Sequence, residues 1–342
     1  MKGIAYLGDG AVEVQEYPDP SPGPGEALVR MQVAGLCGSD LHKYHRSREW
    51  AAERRGMIAG HEPAGTVIDI GPGVEGLNVG DRVSVYHSLG CGHCRHCLAG
   101  TPVFCDEEGA FGRTRDGCFA DLMTTPARYC LPLPEEFSFA VGAMLACTAG
   151  TAFAALSKLP CRHADTVVVF GLGPVGLSAL LMAASMGFRS IGVDLSPSRL
   201  KLARDLHPEN IINGREGGVV ETVNRLTEGK GAEGILECSG SGVARTQAVE
   251  SLAVHGTIVI VGVGPDPMDI NAQKLVNKEC TIRSNRVYSI PAYFEAIDFL
   301  SKHDVPLDDL VTHRFEIEDA AEAFALFDRG ETGKVVFEWE EA

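Results

Sequence analysis

The chain has 342 residues, 45% of them apolar, with 46 acidic against 30 basic side chains and a formal net charge of −16. That length predicts two domains of roughly 100–200 residues each, and the apolar share is that of a globular protein with a full core. The acidic balance excludes nucleic acid and anionic membrane surfaces as partners, because both are met by basic patches.

Met1-Lys2-Gly3-Ile4 runs straight into an alternating pattern, without the apolar run of a signal peptide, and no stretch approaches the ~18 apolar residues of a membrane span. The 11 cysteines therefore read as those of a cytoplasmic protein in a reducing compartment, where clustered cysteines are more often metal ligands than disulfides.

Residues 1–35 read as strands. Ala11 to Glu16 alternates with period two, Pro18 to Pro24 is a turn run, and Glu26 to Val33 alternates again. Cys37-Gly38-Ser39-Asp40-Leu41-His42 follows at a turn, where a lone cysteine is more often an apolar filler than a ligand. The stretch from Lys43 to Met57, with four arginines and Trp50, reads either as a solvated loop or as a lip over a pocket. Gly60-His61-Glu62-Pro63-Ala64-Gly65 opens the strand Thr66 to Ile70, and Val79 to Val83 turns into another strand ending at Tyr86-His87.

Cys91-x2-Cys94-x2-Cys97-x7-Cys105 is the strongest local signal. The short gaps let thiolates converge on one ion, and the longer gap lets a loop fold back to complete a tetrahedron. A redox cysteine pair is the alternative, but four cysteines outside a thioredoxin-like unit favour structural zinc. His93 and His96 are read as exposed. Short strands return over 106–134, and Phe137 to Leu156 reads as helix, broken near Gly150, with Cys147 inside it.

The character changes at Thr166. Thr166 to Phe170 is a fully apolar strand, as in parallel sheets covered on both faces. Gly171-Leu172-Gly173-Pro174-Val175-Gly176 follows at once, then a helix from Leu177 to Met186 and a strand Ser190 to Val193 ending in Asp194. A glycine fingerprint between strand and helix, with an acidic residue about 20 positions on, is that of dinucleotide binding. Gly171 makes the tight turn, Gly173 admits the pyrophosphate, and Gly176 packs helix on strand. Asp194 favours NAD over NADP, although Arg199 nearby can tolerate a 2′-phosphate. The alternation continues with helices Pro197–Leu206, Gly218–Thr227 and Val243–Val254, and strands Ile211–Ile212, Gly234–Cys238, Thr257–Val263 and Cys280–Ile282. Helices Ala292–Lys302 and Ile317–Phe327 and a strand Gly333–Phe337 close the chain.

Together, the Cys37–Asp40 turn, Gly60–Gly65, the four-cysteine lobe, Cys147-Thr148-Ala149-Gly150-Thr151-Ala152, the Gly171–Gly176 loop and Gly333–Phe337 resemble the zinc-dependent medium-chain alcohol dehydrogenases. The resemblance implies an α/β protein: a GroES-like β-rich catalytic domain over 1–147 and 286–342, with a zinc lobe at 88–106, and a Rossmann doubly wound parallel sheet over 148–285, the active site lying in the cleft between them. It implies two Zn²⁺ per chain, one catalytic and one structural, and NAD. Cys37, His61 and Cys147 match the catalytic zinc ligands, and Glu62 a residue that enters the coordination during exchange. Asp40 matches the carboxylate that orients the histidine, Ser39 the hydroxyl that bonds the substrate oxygen, and His42 the end of a proton relay. Thr151 and Val175 match positions lining the nicotinamide pocket, and Val261 and Val263 positions whose main chain meets the carboxamide. His87 falls where many relatives carry an aromatic or apolar pocket residue, so either the substrate is more polar or His87 faces outward.

The activity implied is reversible oxidation of a primary or secondary alcohol to an aldehyde or ketone by a homodimer or homotetramer whose partner is a small alcohol or carbonyl compound. A polyol, sugar-alcohol or L-threonine dehydrogenase is the alternative. A zinc-independent reductase of this fold would lack the ligands and the lobe, and a nucleotide-binding sensor would leave the first site without metal.

Overall fold

The structure, a computed structural model, describes residues 1–206 and 210–340. Positions 341 and 342 of the tail lie outside the described residues. Two units emerge, one of Met1–Thr148, Ser289–Pro291 and Val311–Ala342, the other of Ala149–Tyr288 and Ala292–Leu310. The resemblance implies a return at 286; Ser289–Pro291 and then Val311–Ala342 belong to the first unit, with Ala292–Leu310 in the second. The helix Ile290–Leu300 buries Tyr293 and Ala296 fully, and its Phe299 ring lies 5.6 Å from that of Phe153.

The first unit is built on the strand Glu26–Gly35. Its sheet runs in the order Val311–Phe315, Lys334–Glu338, Glu26–Gly35, Pro63–Ile70, Arg82–Val85, Cys130–Pro132, with Leu122–Pro126 pairing to Glu26–Gly35 as well. Only the pair of Val311–Phe315 with Lys334–Glu338 is parallel. Alternation in this strand predicts one wet face, yet Arg30 is its single exposed residue, because apolar neighbours cover both sides. Gly65 permits the approach of the next strand, since a Cβ there would land on the Arg30 carbonyl.

Cys37 ends the strand region and caps a helix, Gly38–Tyr44, where the sequence suggests only a turn. Asp40 accepts from the Cys37 N–H at 3.1 Å, so the residue at the third helical position closes the cap. The stretch after it contains a second short helix, Arg48–Ala52, capped by Ser47. The helix expected to run through Cys147 instead breaks at that residue, into Phe139–Ala146 and Thr148–Leu156. Cys147 has φ −144° and ψ −68°, so the helix breaks at a negative φ without a glycine, and Gly150 stays helical.

The second unit holds a six-stranded parallel sheet. Its order is Ile211–Asn213, Arg189–Asp194, Thr166–Phe170, Ala232–Glu237, Leu252–Ile260, Thr281–Ser284. This is the doubly wound arrangement, with the order reversing beside Thr166–Phe170. Val168, Phe170, Ile191, Ile235 and Ile258 are buried in its core. The helix expected over Val243–Val254 stops at Ser251, and the strand expected over Thr257–Val263 starts at Leu252 and ends at Ile260. Leu252, at φ −65° and ψ 143°, already has extended backbone, so the helix ends there and the strand begins. Among the described residues no single helix is long and apolar enough to cross a membrane.

Candidate metal centre and coenzyme loop

Four side chains from three separate segments of the first unit converge. The donor atoms of Cys37, His61, Glu62 and Cys147 all lie within 4.8 Å of one another. Cys37 is at the helix cap, His61 and Glu62 lead into the strand Pro63–Ile70, and Cys147 is at the helix break. His61 is buried and its Nδ1 lies 3.0 Å from Asp40 Oδ1. Nδ1–H donates to that carboxylate, which leaves Nε2 as the atom that faces the cluster. Ser39 Oγ is 3.2 Å from this Nε2. His42, three residues on along the same helix, is exposed.

The electrostatics match a cation-binding pocket. The Cys147 thiol donates to the Cys37 sulfur and, with His61, holds Cys37 well below the ordinary thiol range against the effect of burial. Cys147 is pushed up in turn by that bond and by burial. Burial lowers His61, but Asp40 and the Cys37 thiolate outweigh it and push it up to about 10. Two sulfurs and an imidazole are the donors that Zn²⁺ takes in catalytic sites, where a fourth position stays open. The donor set fits zinc.

Three participants escape the sequence. Lys334 has no exposed side-chain surface; its Nζ donates to the Leu36 carbonyl at 2.8 Å, to Thr148 Oγ1 at 3.1 Å and to the Glu62 carboxylate. Thr148 Oγ1 donates to the other Glu62 oxygen at 2.6 Å. Burial pushes the Glu62 carboxyl up, against the pull of Lys334. Tyr6 donates its hydroxyl to Asp40 at 3.1 Å, behind the histidine. The signal for Lys334 was present as a lysine in the otherwise apolar Gly333–Phe337 run.

His87 faces inward. It is 7% exposed, its Nδ1 donates to the Ala146 carbonyl at 2.8 Å, and its ring centre lies 5.4 Å from that of His61. Burial and the neighbouring His61 push it down to about 4, so it is a neutral imidazole with Nε2 as an acceptor.

The cysteine lobe is closed. Cys91 and Cys97 sulfurs are 4.0 Å apart, and those of Cys94 and Cys105 are 3.7 Å apart. With Zn–S bonds near 2.3 Å, the edge of a regular tetrahedron is about 3.8 Å, so these separations suit one shared ion and not a disulfide. His93 is exposed and His96 half-buried.

In the second unit Gly171, Gly173 and Gly176 do different work. Gly171 has φ +86°, and a Cβ there would sit 2.7 Å from the Ser239 N. A Cβ on Gly176 would land on the Gly171 carbonyl, whereas one on Gly173 would meet nothing nearer than the Arg199 guanidinium at 3.7 Å. Packing therefore requires the first and last glycines, and the middle one keeps a face open. Gly173 caps the helix Pro174–Ser185, with Pro174 at its first position and Val175 next, so the proline takes the place of one N–H that has no partner inside the helix, and the N–H groups after it could hold a phosphate. Asp194 accepts from Leu172 N at 2.5 Å and from Leu195 and Ser196 N at 2.7 Å each, which fixes the strand end against the loop. Arg199 lies close enough to feel the Asp194 charge. Thr151 is buried. The Val261 N–H is already donated to the Glu237 carbonyl at 2.8 Å, which leaves only its own carbonyl, while Val263 is 84% exposed.

Residues 23–135 match the family profile described as alcohol dehydrogenase GroES-like domain, and residues 174–302 that described as zinc-binding dehydrogenase. The zinc-type alcohol dehydrogenase-like protein YphC of Escherichia coli K12 is 36% identical over 344 residues, 97% of each chain. A sorbitol dehydrogenase of Halalkalibacterium halodurans is 34% identical over 96% of each chain. Among solved structures, an alcohol dehydrogenase of Escherichia coli CFT073 in complex with NADH superposes with a TM-score of 0.88 at 27% identity, over 99% of each chain. A GroES-like unit joined to a dinucleotide-binding unit defines an oxidoreductase of the dehydrogenase type. The chain belongs to the zinc-dependent medium-chain alcohol dehydrogenase family, and its cofactors are zinc and NAD.

Proposed function

We propose that the protein oxidises a primary or secondary alcohol to the aldehyde or ketone, reversibly, with NAD as hydride acceptor. The convergence of Cys37 Sγ, His61 Nε2 and Cys147 Sγ, with His61 locked from behind by Asp40, carries this reading. Bound zinc supplies Lewis acidity at the alcohol oxygen, and NAD supplies the hydride acceptor. Cys37, His61 and Cys147 would hold the metal, and Glu62, tied to Lys334 and Thr148, is the residue that would enter its coordination during exchange. Ser39 takes up the alcohol proton as it gives up its own hydroxyl proton, and His42, exposed on the same helix, is the base that receives the relayed proton and loses it to solvent. Gly171, Gly173, Pro174, Val175 and Gly176 cradle the pyrophosphate, Asp194 and Arg199 bind the adenosine ribose, and Thr151, Val261 and Val263 line the nicotinamide end. Cys37→Ala and His61→Ala are expected to abolish turnover while NAD still binds; undiminished turnover in either purified variant overturns the assignment.

A second reading, a polyol dehydrogenase, is favoured by His87. An inward, neutral acceptor beside the metal ligands suits a substrate that carries a second hydroxyl, and sorbitol dehydrogenase is among the relatives. A panel of primary alcohols, secondary alcohols, polyols and L-threonine, each with NAD and NADP, separates the two readings. The enzyme is further proposed to be a cytoplasmic homodimer or homotetramer, because thiolate ligands need a reducing compartment and the family assembles so; sedimentation of the zinc-loaded protein reads the oligomer.

A further inference from the structure

Glu237 and Arg245 form a buried ion pair in the second unit that no part of the alcohol chemistry uses. Their side chains are 0% and 11% exposed, with Arg245 Nε 3.4 Å from Glu237 Oε2. Glu237 is the last residue of the strand Ala232–Glu237. Its other oxygen accepts from Ser239 N at 2.8 Å, from Gly240 N at 3.0 Å and from the Ser239 hydroxyl. Arg245, on the helix Gly242–Ser251, spends its remaining donors on the next loop: Nη1 on the Asp266 carbonyl at 2.7 Å and Nη2 on the Gly262 carbonyl at 3.0 Å. One pair therefore ties the loop after one strand to the loop after its neighbour.

Those loops touch through bare backbone. Gly240 has φ +75°, and a Cβ on it would lie 2.6 Å from the Val263 carbonyl. Cβ atoms on Gly262 and Gly264 would land on the Gly240 backbone, and one on Gly171 would press against Ser239. Residues 239–240 are thus a middle layer, with the phosphate loop on one side and 262–264 on the other. In this sheet order the pyrophosphate sits at the helix after Thr166–Phe170 and the adenosine ribose at Asp194, on the strand to one side. The other half of a dinucleotide then extends over the strand ends on the opposite side, where residues 239–242 and 261–267 lie.

We propose that Glu237 and Arg245 are positioning residues for the nicotinamide half of the coenzyme, setting the 239–242 and 262–267 loops against each other. A buried ion pair is weak evidence for stability, since desolvation opposes its Coulomb gain. Its value here is register: Arg245 fixes two carbonyls of a loop whose side chains are largely exposed, and small errors in such support shells loosen a site. The proposal rests on the NAD-linked reading of this unit.

The test uses the full-length, zinc-loaded enzyme and two ligands, NADH, followed by its fluorescence, and ADP-ribose, which lacks the nicotinamide ring. Arg245→Met is expected to weaken NADH by about tenfold, as losing a charged hydrogen-bond partner does, while ADP-ribose changes by less than about twofold. Arg245→Lys, which keeps the charge and cannot reach both carbonyls, is expected to show the same selective loss to a smaller extent, and it decides the question where Arg245→Met does not fold. Glu237→Gln in the Arg245→Met background is expected to add little, because the two act as one unit. Equal weakening of NADH and ADP-ribose, or wild-type affinity for NADH in the lysine variant, overturns the proposal and leaves the coenzyme reading intact. A wild-type protein that binds neither ligand overturns both.

Discussion

Lys334 and Glu62 lie 272 positions apart in the chain, and neither has exposed side-chain surface where they pair. Gly35 makes room for them, since a Cβ there would be 2.6 Å from Lys334 Cε. The lysine neutralises a carboxylate that stands among the metal donors, and Thr148 fixes its second oxygen. Removing one partner of such a pair strands the other without compensation. Lys334→Met is therefore expected to lower unfolding free energy by about 3 kcal/mol, and Glu62→Gln in the same chain to restore most of it. Denaturant melts of the single and double variants check this.

Asp40 holds the proton on His61 Nδ1 and so decides which ring nitrogen faces the metal. Asp40→Asn can present its amide N–H₂ to the ring and reverse the tautomer. Zinc affinity at this cluster is expected to fall about 10–100-fold, with NADH binding unchanged. Competition against a chromophoric chelator measures the first, and fluorescence titration the second.

Zinc uptake at the first cluster is expected to release protons. In the metal-free protein His61 is held up to about 10 and Cys147 well above its ordinary value, while Cys37 is already a thiolate. Metal binding needs the neutral imidazole and both thiolates, so about two protons leave per ion near neutral pH. Apparent affinity then rises with pH from 6 to 8. Titration calorimetry in buffers of different ionisation enthalpy counts the protons; a pH-independent affinity contradicts the donor set.

Cys97→Ser opens the closed lobe. One zinc per chain is expected to be lost, and the segment 88–106 to become sensitive to limited proteolysis, because four thiolates on one ion replace a core that this short loop lacks. Metal analysis and the position of the first cleavage report both effects.

What the sequence reveals follows the range of the interaction. The lobe is legible because its ligands lie within 15 positions, 91 to 105, and their gaps are themselves a geometric statement. The phosphate loop is legible because an apolar strand, the glycines and a helix are consecutive. Cys147 is visible as a residue, but its helix break is not: no proline or glycine stands at it, and the backbone turns there at φ −144° and ψ −68°. The Lys334–Glu62 and Glu237–Arg245 pairs are not legible as pairs, since a charge pairing between separate elements leaves no periodicity. The helix Ala272–Lys278 is missed for the opposite reason; it is mostly exposed and carries no apolar stripe, only the Asn271 cap that bonds Gln273 and Lys274 N–H groups.

X-ray diffraction from crystals of the zinc-loaded protein, recorded on both sides of the zinc absorption edge, tests the central claim most directly. Two anomalous peaks per chain are predicted, one within bonding distance of Cys37 Sγ, His61 Nε2 and Cys147 Sγ, the other inside Cys91, Cys94, Cys97 and Cys105. A fully loaded lobe with no peak among the first three contradicts the account.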